Sequence, residues 1–272
     1  MKITSCENYI TIEDYAPFNL ALSVDCGQSF RWKQNENNRW CAIVRGRYLE
    51  AEEKKNKLIL YTSESEFNEL WRDYFDLDCN YGEICQTLCA DEHLKRATTE
   101  CAGIHILKQE PWEALCSFII SQNNNIPRIK GIIERLCEAY GDKTGFGYTF
   151  PSAQTLSKLT VEDLAPLRSG FRAKYIIDAA QKIANGEVDF EKIKTEPIEF
   201  GREELQKIKG VGAKVAECTL RYGFYKIEAF PVDVWVKRIM AELYPDGLPE
   251  CTKGVEGIAQ QYLFHWRRTC VD

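Results

Sequence analysis

From about residue 66 onward the apolar residues of this chain recur at helical spacing, which commits most of its length to packed helices. Phe67, Leu70, Trp71 and Phe75 fall at i, i+3, i+4 and i+8. Pro111 stands where a helix start tolerates proline, just ahead of Trp112–Ile120. Ile129, Ile132, Ile133 and Leu136 stripe the next helix, which Gly141 is expected to stop. Tyr175, Ile176, Ala179, Ala180 and Ile183 stripe another, ended by Asn185–Gly186. Val215–Tyr222, Val234–Leu243 and Val255–Phe264 predict three more.

The first quarter has a different period. Phe18, Leu20, Leu22 and Val24 alternate with polar or small residues, which predicts a half-buried strand. Apolar-rich runs follow at Ser29–Trp32, Trp40–Val44 and Leu58–Tyr61, separated by turn-prone residues around Asn35–Asn38 and by the charged Glu52–Asn56. Short connections imply antiparallel pairing. The fold class is therefore α+β, an N-terminal antiparallel sheet followed by an all-helical body. The expected division is 1–110 and 111–272, with a helical hairpin at 205–222.

Apolar residues make up 44% and charged residues 28% of the 272, an ordinary globular balance. No apolar run reaches the ~18 residues of a membrane span. The polar, acidic opening MKITSCENYITIEDY lacks the apolar stretch of a signal peptide. The net charge of −6 argues against a nucleic-acid partner, but its distribution does not. Residues 51–100 hold 12 acids against 6 bases, whereas 202–238 hold 8 bases against 5 acids. Screening acts over ~8 Å, so a distant acidic face leaves a basic one intact. Twelve cysteines without a secretory signal read as free thiols, and the tightest group, Cys79, Cys85 and Cys89, has no standard metal spacing.

The stretch Leu205–Met240 carries the chemistry. Gly210-Val211-Gly212 joins two helices, and the amides at the second helix's start can form an anion site suited to a phosphodiester. The same pattern also serves as an ordinary helix corner. Lys214 lies in that helix's first turn, where a positive side chain opposes the dipole. A lysine nucleophile must be neutral, and against an ordinary pKa of ~10.4 this costs about 4 kcal/mol near pH 7. Burial in an apolar cleft or a positive neighbour would supply it. Cys218 shares the Lys214 helix face. In Phe230-Pro231-Val232-Asp233-Val234-Trp235 the aspartate is a natural helix cap, and a capping carboxylate at a cleft can also stabilise an oxocarbenium ion.

KGVGAKVAEC followed by FPVDVW resembles the helix–hairpin–helix-GPD (HhH-GPD) superfamily of base-excision glycosylases. Cys26–Trp32 (CGQSFRW), Ser121–Ile129 (SQNNNIPRI), Gly170–Tyr175 (GFRAKY) and Ala259–Phe264 (AQQYLF) resemble, in family order, segments of its 8-oxoguanine DNA glycosylases. The resemblance implies a bifunctional enzyme that flips 8-oxoguanine out of double-stranded DNA, excises it opposite cytosine and nicks the strand. It implies Lys214 as nucleophile and Asp233 as its catalytic carboxylate. Gly27, Cys218, Gln260 and Phe264 would hold the extruded base. Asn123, Arg128 and Arg172 would read the orphaned cytosine, although either arginine alone equally suits a phosphate. Phe171 would fill the vacated stack, and Gly210, Val211 and Gly212 would hold phosphate. The family implies no cofactor and no catalytic metal. The expected setting is a monomer in the cytoplasm or nucleoid, or the nucleus of a eukaryote. Trp235, Arg267 and Tyr222 depart from the family's pattern, and Arg267 is expected to stack on Trp235 as a cation–π pair.

Overall fold

The computed structural model describes residues 1–15 and 17–270. Six strands form one antiparallel sheet: β1 (Lys2–Ser5), β2 (Ile10–Glu13), β3 (Lys33–Gln34), β4 (Trp40–Val44), β5 (Arg47–Lys54) and β6 (Lys57–Tyr61). Their order is β1-β2-β6-β5-β4-β3. Alternation sets the register. Ile10 and Ile12 lie opposite Leu60 and Leu58, and Ala51 opposite Leu60, so one face is apolar. That face packs on Trp32, Phe67, Leu70, Trp71, Tyr74 and Phe75, all buried. Each such side chain contributes roughly 1.5–3 kcal/mol by leaving water.

The remainder is helical, apart from a short hairpin pairing Lys143–Thr144 with Gly147–Tyr148. Helix Pro111–Ser121 is the centre of this body, buried from Trp112 and from Ala114 through Ile120. Helix Ala213–Gly223 lies so close to it that a Cβ on Gly223 would come within 2.8 Å of Pro111 Cα. Helix Glu256–Thr269 packs against Glu92–Glu100, and Tyr262 donates to the Ile104 carbonyl at 3.0 Å. Helices stand where the stripes predict them, at Ile126–Tyr140, Ala173–Ala184 and Val234–Leu243. Among the described residues no helix is long and apolar enough to cross a membrane.

Three expectations about the first quarter fail. Phe18–Val24 is not a strand: Leu20–Asp25 is a helix, because Asn19 caps it by accepting the Leu22 N–H at 2.9 Å. Leu20 and Val24 are buried at helical spacing, and Leu22 is only half-buried. Ser29–Trp32 is irregular rather than extended. It is held by the buried Gln28, whose Nε2 donates to the carbonyls of Ser23 and His105 and whose Oε1 accepts from Leu107 N–H. The charged Glu52–Asn56 does not separate strands along its length. Glu52–Lys54 continues β5, and only Lys55 and Asn56, at φ of 51° and 60°, make the turn to β6.

Candidate active site

The hairpin between helices Ile198–Gln206 and Ala213–Gly223 is set by two glycines with different reasons. Gly210 has φ +80°, and a Cβ there would sit 2.4 Å from the Tyr175 ring. Gly212 is extended, at φ −98° and ψ −177°, and is the N-cap without a side chain to satisfy the first amides. Apart from its chain neighbours, no atom of the described residues lies within 4 Å of where its Cβ would stand. Between them Val211 is buried and anchors the turn. The uncapped amides and the positive end of the helix dipole together suit an anion at this exposed turn.

One face of the second helix then carries Lys214, Cys218, Arg221 and Tyr222, at i, i+4, i+7 and i+8. All four border a cleft partly open to solvent. The cleft brings together Gly27, Lys214, Cys218, Asp233, Gln260 and Phe264, from four separate segments. Phe118, Arg221, Tyr222, Pro231 and Gln261 complete its lining. A larger pocket lies against the sheet and helix Ile126–Tyr140, and none of the six borders it.

Lys214 Nζ is 3.4 Å from Ser121 Oγ and 5.0 Å from the centroid of the Phe118 ring. Asp233 accepts the Val236 N–H at 2.8 Å, capping helix Val234–Leu243, and still borders the cleft. Gly27 has φ +88°, and its Cβ position is 3.9 Å from Phe264. Cys218 is buried, and the Arg268 guanidinium lies 5.0 Å above the Phe264 ring. Gln260 is buried and accepts from Arg221. Tyr222 stacks on Phe118, with centroids 5.2 Å apart, and its hydroxyl bonds to Arg221 and Gln261. Burial pushes that hydroxyl well above the usual tyrosine range, so it stays neutral.

Asn123, Arg128, Phe171 and Arg172 lie outside the cleft lining, and Ser121 links the two regions. Phe171 is 47% exposed, which rules out a core role. Arg128 is exposed and Asn123 has φ 47°. Arg172 is turned inward, only 2% exposed, and donates to the carbonyls of Gln122, Asn123 and Ser169. Its donors therefore hold the turn that presents Asn123.

The stacking expected between Arg267 and Trp235 does not form. Arg267 donates to Glu242 at 2.6 Å, and Arg238, one helical turn beyond Trp235, lies 5.5 Å from its ring. Among the described residues no three His, Cys, Asp or Glu side chains gather at metal-binding distance.

Sequence reasoning missed Phe118, Arg221 and Gln261. For Arg221 a signal existed, the spacing of seven from Lys214 that returns it to the same helix face. Phe118 and Gln261 sit within apolar helix stripes and read as core.

The comparisons with known proteins cover the whole of this geometry. A family model described as the N-terminal domain of 8-oxoguanine DNA glycosylase matches residues 10–115. One for HhH-GPD superfamily base excision DNA repair proteins matches residues 116–255. The N-glycosylase/DNA lyase of Saccharomyces cerevisiae is 33% identical, across 83% of this chain and 68% of its own length. The apo structure of the Clostridium acetobutylicum 8-oxoguanine glycosylase/lyase superposes with a TM-score of 0.92 at 37% identity, over 98% of this chain and 99% of that one. Its complex with double-stranded DNA bearing cytosine opposite 8-oxoguanine gives 0.92 at 38% identity, over 98% of each.

Proposed function

The chain belongs to the 8-oxoguanine DNA glycosylase family, and on that premise we propose that it excises 8-oxoguanine opposite cytosine and then cleaves the abasic strand. It acts as a monomer on double-stranded DNA. Residues 1–110 supply Gly27 to the site, and residues 111–272 supply the rest.

The hairpin at Gly210, Val211 and Gly212 grips a phosphate through its free amides, while the Val211 N–H donates to the Ile208 carbonyl at 3.0 Å and holds the turn. The target nucleotide leaves the stack at a cost of a few kcal/mol, and Phe171 fills the gap. Asn123 and Arg128 meet the orphaned cytosine, while Arg172 braces that turn and joins them only by changing rotamer. The extruded base slides between Cys218 and Phe264. The Gly27 carbonyl accepts the N7–H that 8-oxoguanine has and guanine lacks, and Gln260 pairs with the Watson–Crick edge.

As the C1′–N9 bond loosens, positive charge grows on the sugar opposite the Asp233 carboxylate. The lone pair of neutral Lys214 forms the new C–N bond as the base departs with the old pair. The ring opens to a Schiff base, a C2′ proton is lost, and the 3′ phosphate leaves by β-elimination. The amine stands on the cleft wall, 5.0 Å from the Phe118 ring and 3.4 Å from Ser121 Oγ.

The single observation that carries this reading is one cleft bordered by both Lys214 and Asp233 together with Gly27, Cys218, Gln260 and Phe264. The test is incubation with a duplex holding one 8-oxoguanine:cytosine pair, following free base and nicked strand. Release of both supports the reading. Duplex binding without base release reduces the chain to a binding homologue. Comparison of excision opposite all four bases measures the preference for cytosine.

A further inference from the structure

One charged group of the cleft has no role in that mechanism. Arg221 borders the cleft and is only 2% exposed. Its partners are neutral oxygens. Nη1 donates to the Gly257 carbonyl at 2.8 Å and to Gln260 Oε1, and Nη2 donates to the Tyr222 hydroxyl and, at 3.4 Å, to Gln261 Oε1. Its Nε–H is buried without a partner among the described residues. A buried cation met only by neutral dipoles is costly, so its retention needs a cause. A guanidinium carries donors only, so the end of the Gln260 amide facing it must be the oxygen. The amide nitrogen of Gln260 is left without a protein partner among the described residues, in a side chain that borders the cleft.

Building on the function proposed above, we propose that Arg221 locks the Gln260 amide in one orientation and so restricts the cleft to purines with a carbonyl, not an amino group, at C6. A free glutamine amide flips and can pair with either edge. The edge of a 6-oxopurine runs from the C6 carbonyl, an acceptor, to N1–H, a donor. The edge of a 6-aminopurine runs from an amino donor to N1, an acceptor. One amide orientation matches one edge only. With Oε1 tied to Arg221, the amide N–H meets the C6 carbonyl and the second lone pair of Oε1 accepts from N1–H. A 6-aminopurine requires nitrogen and oxygen exchanged, which sets amide donors against guanidinium donors. The positive field also favours a carbonyl dipole over an amino group at that edge. Arg221 acts through Gln260 and is a positioning residue.

The test is single-turnover excision of 8-oxoguanine and of 8-oxoadenine, each opposite cytosine, by wild-type protein and Arg221→Leu. Cleavage at a preformed abasic site is the control, since it needs no base in the cleft. Wild-type protein should prefer 8-oxoguanine by at least ~100-fold. Arg221→Leu should lose at least ~10-fold of that preference while abasic-site cleavage stays within about threefold. An unchanged preference overturns the proposal. Gln260→Glu decides the matter if Arg221→Leu does not fold. Its carboxylate pairs with Arg221 but offers the base no donor, so 8-oxoguanine excision should fall at least ~10-fold further than abasic-site cleavage does. Undiminished excision by Gln260→Glu means that the base meets an oxygen there, and overturns the lock. Wild-type protein that releases neither base, and nicks nothing, defeats the functional reading and this inference with it.

Discussion

Asp233 accepts the Val236 N–H at 2.8 Å while bordering the same cleft as Lys214, so one carboxylate both starts a helix and lines the cleft. The two roles separate in Asp233→Asn. Asparagine caps about as well as aspartate, so the unfolding free energy measured in urea should change by less than ~1 kcal/mol. The lost charge should slow single-turnover excision by ~100-fold or more, about 2.7 kcal/mol of barrier. An Asn variant with wild-type excision leaves Asp233 as a cap alone.

Gly212 caps its helix without a side chain, and open space surrounds its Cβ position. Gly212→Asp should supply the missing cap and keep stability or raise it by about 0.3 kcal/mol. The same carboxylate occupies the phosphate's place, so duplex affinity should fall at least ~10-fold and the salt dependence should weaken by about one contact. Fluorescence anisotropy across a salt series checks both. Unaltered affinity removes the hairpin from the DNA interface.

Phe171 is 47% exposed, with its ring edge-on to Tyr175 at 5.8 Å. Phe171→Ala should cost less than ~1 kcal/mol of stability, because little burial is lost. Excision from duplex should fall ~10-fold, since the extruded state loses its plug. Equal rates for variant and wild type rule out the wedge.

Much of this was legible in the sequence where a single period dominates. The stripes at Ile129–Leu136 and Tyr175–Ile183 became helices because one buried face decides the conformation. The first quarter misled where local hydrogen bonds outweigh pattern. Asn19 converts an apparent alternation into a helix, and Gln28 supports backbone that has no regular partners. β1 was invisible because all four of its residues are exposed. In the site, Lys214 and Cys218 follow from helical spacing, but Gln260 and Phe264 reach the cleft only through the packing of helix Glu256–Thr269, and only family resemblance pointed to them. The misplaced Arg267 has the same origin. Arg238 shares a helix with Trp235, and no pattern in the chain reports the distance between two helices.

Acid should destabilise the fold through His105. Its ring is 3% exposed, stacked on Tyr81 at 3.8 Å. Burial pulls its pKa below the usual 6.5, and the carbonyls of Phe75 and Pro17 only partly offset this. The unfolded chain therefore takes up the proton first. Stability is complete above about pH 6.5 and falls as pH drops below it, by at most ~1.4 kcal/mol per unit, until the folded-state pKa is reached. Urea unfolding at pH 7.5, 6.5, 6.0 and 5.5 measures the slope, and His105→Gln should flatten it. A slope that His105→Gln leaves unchanged assigns the effect to other groups.

The most direct test of the mechanism is borohydride trapping on an 8-oxoguanine:cytosine duplex. The account predicts a covalent protein–DNA adduct whose reduced linkage maps to Lys214, and its disappearance in Lys214→Gln while duplex binding persists. An adduct of undiminished yield in Lys214→Gln, or one mapped to another amine, would contradict it.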